Sequence, residues 1–234
     1  GLLSISVLLC QPKPEFVFFS PSGSALRHFF ISLNKYLLSS FAFATSLKYT
    51  AVGNNTGLSM TTAVYNTVVG SQAGDALTDG SSNTAIGMNA LTADTRGQNS
   101  VAIGRNALLA QNFTSSTDSY NVAIGRDGGK AITTGIQNVL VGALAGDALT
   151  DADYNTAVGM NALTADTQGS NNTCVGNGAL ASQNFTSDTA GLNVAMGNSA
   201  GYSITTGVQN TLIGASAGDA LTDADYNVAV GKSA

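Results

Sequence analysis

Carboxylates are the chemically active groups that this sequence sets out in a pattern. Asp147, Asp151 and Asp153 lie close together, Asp219, Asp223 and Asp225 repeat their spacing, and Asp75 and Asp79 repeat its first half. Three carboxylates so near one another could offer Ca²⁺ the hard oxygen ligands it takes. The spacing equally suits a solvated turn in which Asp is chosen for geometry and solubility. The turn is the preferred reading, because the glycine-rich nonapeptide Ca²⁺ repeat is absent and the first copy lacks the third Asp. No cofactor is expected. Paired carboxylates could also serve acid–base hydrolysis, yet from residue 49 onward there is no His and no Glu, and Lys130 and Lys232 are isolated. An active site is singular and asymmetric, whereas these groups recur, so the chain is read as not an enzyme.

Other groups carry weaker chemistry. The Thr61-Thr62, Thr133-Thr134 and Thr205-Thr206 pairs suggest a hydroxyl surface for ice, but they recur only at the wide interval that separates Thr61 from Thr133. Cys10 and Cys174 form no disulfide framework, and Cys174 stands where Ala is usual, so it reads as a small buried hydrophobe. Asn54, Asn112, Asn171 and Asn184 each open an Asn-X-Ser/Thr sequon, which matters only in a eukaryotic secretory pathway.

The elements that must hold these groups are set by a glycine. It follows a small apolar triplet, within Asn-Thr/Val-Ala-Val/Ile-Gly or a close variant, at Gly53, Gly70, Gly87, Gly104, Gly125, Gly142, Gly159, Gly176, Gly197, Gly214 and Gly231. The intervals run 17, 17, 17, 21 and then repeat, so four of them make a 72-residue super-repeat that carries Asp75–Ala110 onto Asp147–Ser182. Fixed-period self-similarity of this kind is the mark of a solenoid. Counting from the glycine, column −1 is Val, Ile or Met, column −3 is Thr or Val, and column −2 is mostly Ala. Side chains alternate along a strand, so both faces should be buried: one fills the coil and the other calls for a partner. Column −4 is Asn66, Asn83, Asn121, Asn138, Asn155, Asn172, Asn193, Asn210 and Asn227, with Tyr49 and Ser100 in the other two coils. In register, these amides would form a ladder at the corner before the strand. Column +4 reads Gly, Gly, Leu, Leu through each super-repeat. The scarcity of helix formers and the short apolar runs between turn residues argue for strands.

The longer intervals place their extra residues at Gln111–Tyr120 and Gln183–Leu192. Loops on a regular scaffold are where binding usually resides, which makes Asn112, Phe113, Tyr120, Asn184 and Phe185 the candidate ligand contacts. The competing reading has Phe113 and Phe185 plugging the ends of the enlarged coils, and it is preferred.

Composition divides the chain near residue 48. Residues 1–48 hold all three prolines, seven of the nine phenylalanines, Glu15 and His28. Their stretch 27–44, with early basic residues, an apolar run and Ala42-Phe43-Ala44, resembles a secretory signal, and a disordered leader or an upstream frame is the equal alternative. The chain begins at Gly1, so the reading frame is expected to extend upstream. Residues 49–234 are the repeat domain, with five basic residues against thirteen Asp, a sign opposed to nucleic-acid or anionic-membrane binding.

Asn83-Thr-Ala-Ile-Gly87, Ser100-Val-Ala-Ile-Gly104 and Asn121-Val-Ala-Ile-Gly125 resemble the head repeats of trimeric autotransporter adhesins, the YadA-like head. The 17-residue coils also resemble repeats of phage tail fibres. The likeness covers about residues 49–234, and both coil lengths exceed the shorter repeat usual in adhesin heads. It implies a left-handed parallel β-roll with three chains side by side, so the expected fold is an all-β, parallel β-roll or β-solenoid forming a homotrimer. Hexapeptide left-handed helices rank second, since neither coil length is a multiple of six. The expected function is an extracellular or cell-surface adhesive fibre segment that attaches to a cell or matrix ligand. Its alternatives are a phage tail-fibre shaft on a virion and an ice- or mineral-binding solenoid.

Overall fold

The computed structural model of the protein describes residues 49–234. The leader reading of residues 1–48, with Cys10, Glu15, His28 and the signal-like stretch, lies outside the described residues.

The described residues contain strands and turns and no helix. The strands are β1 (Thr50–Val52), β2 (Thr67–Val69), β3 (Thr84–Ile86), β4 (Gly97–Gln98), β5 (Val101–Ile103), β6 (Thr117–Asp118), β7 (Val122–Ile124), β8 (Val139–Val141), β9 (Thr156–Val158), β10 (Gly169–Ser170), β11 (Thr173–Val175), β12 (Thr189–Ala190), β13 (Val194–Met196), β14 (Thr211–Ile213) and β15 (Val228–Val230). The eleven that precede the glycine anchors form one sheet in chain order, β1-β2-β3-β5-β7-β8-β9-β11-β13-β14-β15. Each pairs parallel with the next, column on column: Ala51 faces Val68, and Ala102 faces Ala123 across a long interval. A parallel β-solenoid of eleven turns results, and the extra residues of a long coil leave its register intact. Those residues are absorbed in two small parallel sheets, β4 with β6 and β10 with β12.

Each strand of the eleven-stranded sheet has three residues, and the glycine that follows ends it. Gly87 takes φ +131°, and a Cβ there would run into the carbonyl oxygen of Gly104, the next glycine of the column. Only glycine meets both demands.

Inside the coil the −2 column is the core: Val68, Ala85, Ala102, Ala123, Leu140, Ala157, Cys174, Ala195 and Leu212 are fully buried. The remaining space is filled by one large side chain per coil, supplied from either of two positions. Where +4 is Gly, +7 is Met, Leu or Ile, as in Gly74 with Leu77; where +4 is Leu, +7 is Asp or Gln, as in Leu91 with Asp94 and Leu108 with Gln111. A Cβ on Gly74 would lie 2.9 Å from Cδ1 of Leu77 and 3.0 Å from Cγ1 of Val68. The two arrangements therefore exclude each other.

Hydrogen bonds run chiefly between coils, and short turn bonds such as Ala73 N–H to the carbonyl of Gly70 (3.3 Å) close within them. Asn138 accepts the backbone N–H of Asn155 at Oδ1 (3.0 Å) and donates Nδ2 to the carbonyl of Ala152 (2.8 Å), and the other buried Asn residues of the column repeat most of this scheme. The expected amide ladder is present, bonded chiefly to backbone. A second ladder goes beyond the expectation. Thr occupies +8 in eight of ten coils, and Thr78 donates its hydroxyl to the carbonyl of Thr95 (3.1 Å), as Thr150 does to Thr167 (3.0 Å). The first member of each Thr pair thus belongs to a column present in nearly every coil, which the wide spacing of the pairs conceals.

Candidate functional site

Three surfaces of the solenoid could meet a partner. The first is the outer face of the eleven-stranded sheet. Columns −3 and −1 point away from the core, so a stack of Thr and Val runs beside a stack of Val, Ile and Met. In mid-sheet Ile124 and Val139 are each 38% exposed and Met196 is 44% exposed. Of the two apolar faces expected to be buried, one is buried in the coil and the other is half exposed on this chain. Apolar area of this regularity is unusual on an isolated soluble domain.

The second surface is the edge carrying the long coils. Phe113 and Phe185 are buried, at 6% and 5% exposed, where their rings lie inside the enlarged coils rather than on the surface. Each ring lies against a glycine, Gly97 or Gly169, where a Cβ would stand 2.9 Å or 2.6 Å from Cδ2 of the ring. Beside them sits a buried polar cluster around Asp94 and Asp166, residues that the sequence does not single out. Asp94 Oδ1 accepts the N–H of Gly97 (2.9 Å) and of Phe113 (3.2 Å), and Oδ2 accepts the Gln111 amide (2.6 Å). Gln111 Oε1 in turn accepts the Asn121 amide (2.9 Å). Asp166, Gln183, Phe185 and Asn193 repeat these bonds. Every lone pair so used belongs to the scaffold, so the cluster positions the loop. The signal that could have found it was Leu at +4, which displaces the apolar residue from +7. Exposed on this edge are Asn112, Asn184, Tyr120 and Leu192. The four sequon asparagines, Asn54, Asn112, Asn171 and Asn184, are all exposed.

Five of the six aspartates in the two full copies of the acidic motif accept hydrogen bonds from the coils. Asp153 Oδ1 accepts the N–H of Ile136 (2.7 Å), Asp225 Oδ1 that of Val208 (2.8 Å), and Asp147 Oδ1 the Thr164 hydroxyl (2.6 Å). Asp151 and Asp223 accept the hydroxyls of Thr150 (3.0 Å) and Thr222 (3.1 Å), each the preceding residue. Among the described residues no three acidic, His or Cys side chains lie close enough to share an ion. Burial raises the carboxyl of Asp153 above its ordinary value, and the charges of Asp188 and Asp151 add to this against the Ile136 hydrogen bond. Burial likewise raises Asp75, opposed by its own N–H and that of Ala76. Burial also pushes the Cys174 thiol far up, with the Asp166 charge adding to it, which fits an inert core residue.

The third surface is the corner row at −5, just before the Asn ladder. From the second coil on it reads Tyr65, Ser82, Asn99, Tyr120, Gln137, Tyr154, Asn171, Leu192, Gln209 and Tyr226, every one at positive φ. Tyr65, Tyr120, Tyr154 and Tyr226 are 50–71% exposed. Numbering the coils from the glycine makes this row legible in the sequence, although its uncommon backbone is not.

No helix among the described residues is long and apolar enough to cross a membrane. Compared with family models, with curated proteins and with solved structures, the chain shows no significant match in any of the three.

Proposed function

We propose that residues 49–234 are a segment of an extracellular adhesive fibre, in which three copies of the chain lie side by side with the outer sheet face turned inward. The observation that carries this reading is the open apolar face. Eleven strands present paired columns of β-branched and aliphatic side chains in register, and a side-by-side copy offers a matching surface with the same repeat. Burying such a face contributes about 25 cal/mol per Å² of apolar area, ample over a sheet of this length to hold chains together. The resemblance to YadA-like heads and phage tail fibres points to the same assembly and to a left-handed coil. The role is display: weak contacts repeated along and around the fibre would add through avidity, with no enzymatic step. A phage-fibre shaft would share this assembly.

Light scattering on the full-length chain after size exclusion tests it. A trimer that survives dilution is the expected result, and a folded monomer would contradict it. Deleting residues 114–117 tests the long-loop edge: unchanged attachment to cells or matrix would remove that edge as a contact site.

A second reading has one observation in its favour. The outer face, as a single chain, is a regular array carrying Thr or Val once per coil at −3, which is what an ice- or mineral-binding solenoid requires. Thermal hysteresis shown by a monomer would select it, and its absence would dismiss it.

A further inference from the structure

From the fifth coil to the eleventh the corner row alternates strictly. Tyr120, Tyr154, Leu192 and Tyr226 stand in every second coil, and Gln137, Asn171 and Gln209 stand between them. Coils repeat at about 4.8 Å, so the apolar platforms recur every ~9.6 Å along the solenoid. The row is uncharged throughout, in a repeat domain that is otherwise acidic. Its backbone is held in register: Tyr154 N–H donates to the carbonyl of Ile136 (3.1 Å), Asn171 N–H to that of Asp153 (3.0 Å) and Tyr226 N–H to that of Val208 (3.1 Å).

The tyrosines are not there for the fold. Tyr154 and Tyr226 are 50% and 71% exposed, and both take φ +59°, a backbone that non-glycine residues seldom adopt. Ser82 and Asn99 occupy the same corner in earlier coils, so a small polar residue satisfies it. Exposed apolar side chains in this backbone, three Tyr and one Leu in alternate coils from the fifth on, are a surface feature with its own use.

We propose that this row binds a neutral, extended β-1,4-linked glycan laid along the solenoid axis. The two-coil pitch is close to one disaccharide repeat of such a chain, in which successive rings are flipped and every second ring presents the same face. At that pitch Tyr120, Tyr154 and Tyr226 stack on like faces of the sugars, as an amphipathic ring suits them to do, and Leu192 supplies an apolar contact in the coil between the last two. The amides between them lie at the height of the intervening rings, where they donate to and accept from hydroxyls. An anionic glycan gains nothing from an uncharged row beside many aspartates. All residues of the row belong to one chain, at the corner before the outer sheet face.

The test is retention of the full-length chain on cellulose and on chitin, with starch as the α-linked control and soluble β-1,4 hexasaccharides as competitors. Retention on one or both β-1,4 polymers, displaced by its own hexasaccharide, is expected, and which polymer retains it identifies the sugar. Tyr154→Asn with Tyr226→Asn should weaken it by about tenfold or more, while Tyr65→Asn, which lies outside the alternation, should leave it unchanged. Circular dichroism checks that both variants stay folded. No retention, equal retention on starch, or equal loss in the Tyr65 variant would overturn the proposal. So would a double variant that binds normally but changes the mass of the assembly, since the row would then be a chain-to-chain contact.

Discussion

Glycine at the anchor and asparagine at the corner do different work, and single substitutions separate them. Gly87→Ala asks an L-residue to hold φ +131° with its Cβ against the Gly104 carbonyl, so a loss of at least about 2 kcal/mol is expected in denaturant unfolding. Asn138→Ala strips a partner from the Asn155 N–H and the Ala152 carbonyl in a dry interior, at a cost of about 1–3 kcal/mol for each group left unpaired. Asp153 tests the electrostatics. Its carboxyl is raised in the folded state, so the folded chain holds that proton more tightly than the unfolded one. The resulting stability is full below the ordinary value of 3.8 and is lost as pH rises through the folded value. Asp153→Asn keeps the acceptor for Ile136 and removes the charge, so its Tm should match the parent near pH 3 and exceed it at pH 7. An equal Tm at both values would deny the shift.

At the scale of the element, the alternation of Gly/Leu with Leu/Asp at +4 and +7 makes each coil one of two packing solutions. Gly74→Leu alone should overfill its coil by about 1–3 kcal/mol, and adding Leu77→Ala should recover most of the loss, a coupling that a thermal-melt cycle would measure. Independent, additive effects would mean the two positions do not share space. Much of the coil is legible in sequence: the glycine column ends each strand, the small side chains before it mark the interior, and the Asn column marks the corner. What stays hidden has physical reasons. Leu91, Leu108, Leu163 and Leu180 sit at φ +51° to +54° or, for Leu108, +49°, a backbone that their side chains disfavour on their own and that tertiary packing imposes. Asp94 goes unmarked in the sequence because nothing local shows that Gln111, from the next coil, will meet it. Phe113 is ambiguous in sequence between anchor and plug, and Gly97, which makes room for its ring, decides the matter.

The whole repeat domain is a stack in which each coil bonds only to its neighbours, so stability is a sum of coil and interface contributions. Deleting residues 75–146 joins Gly74 to Asp147 with the columns still in step. The shortened chain should fold with the same circular dichroism shape and a lower Tm, and loss of cooperative melting would contradict this account. One chain leaves the apolar columns of its outer face half open, and everything proposed about the fibre rests on what closes them. The most direct test is the mass of the full-length protein in solution across a dilution series. Three chains per particle at every concentration, reduced to one by Ile103→Asp with Ile124→Asp on that face, is the predicted result. A parent protein that is monomeric and folded at all concentrations would contradict it.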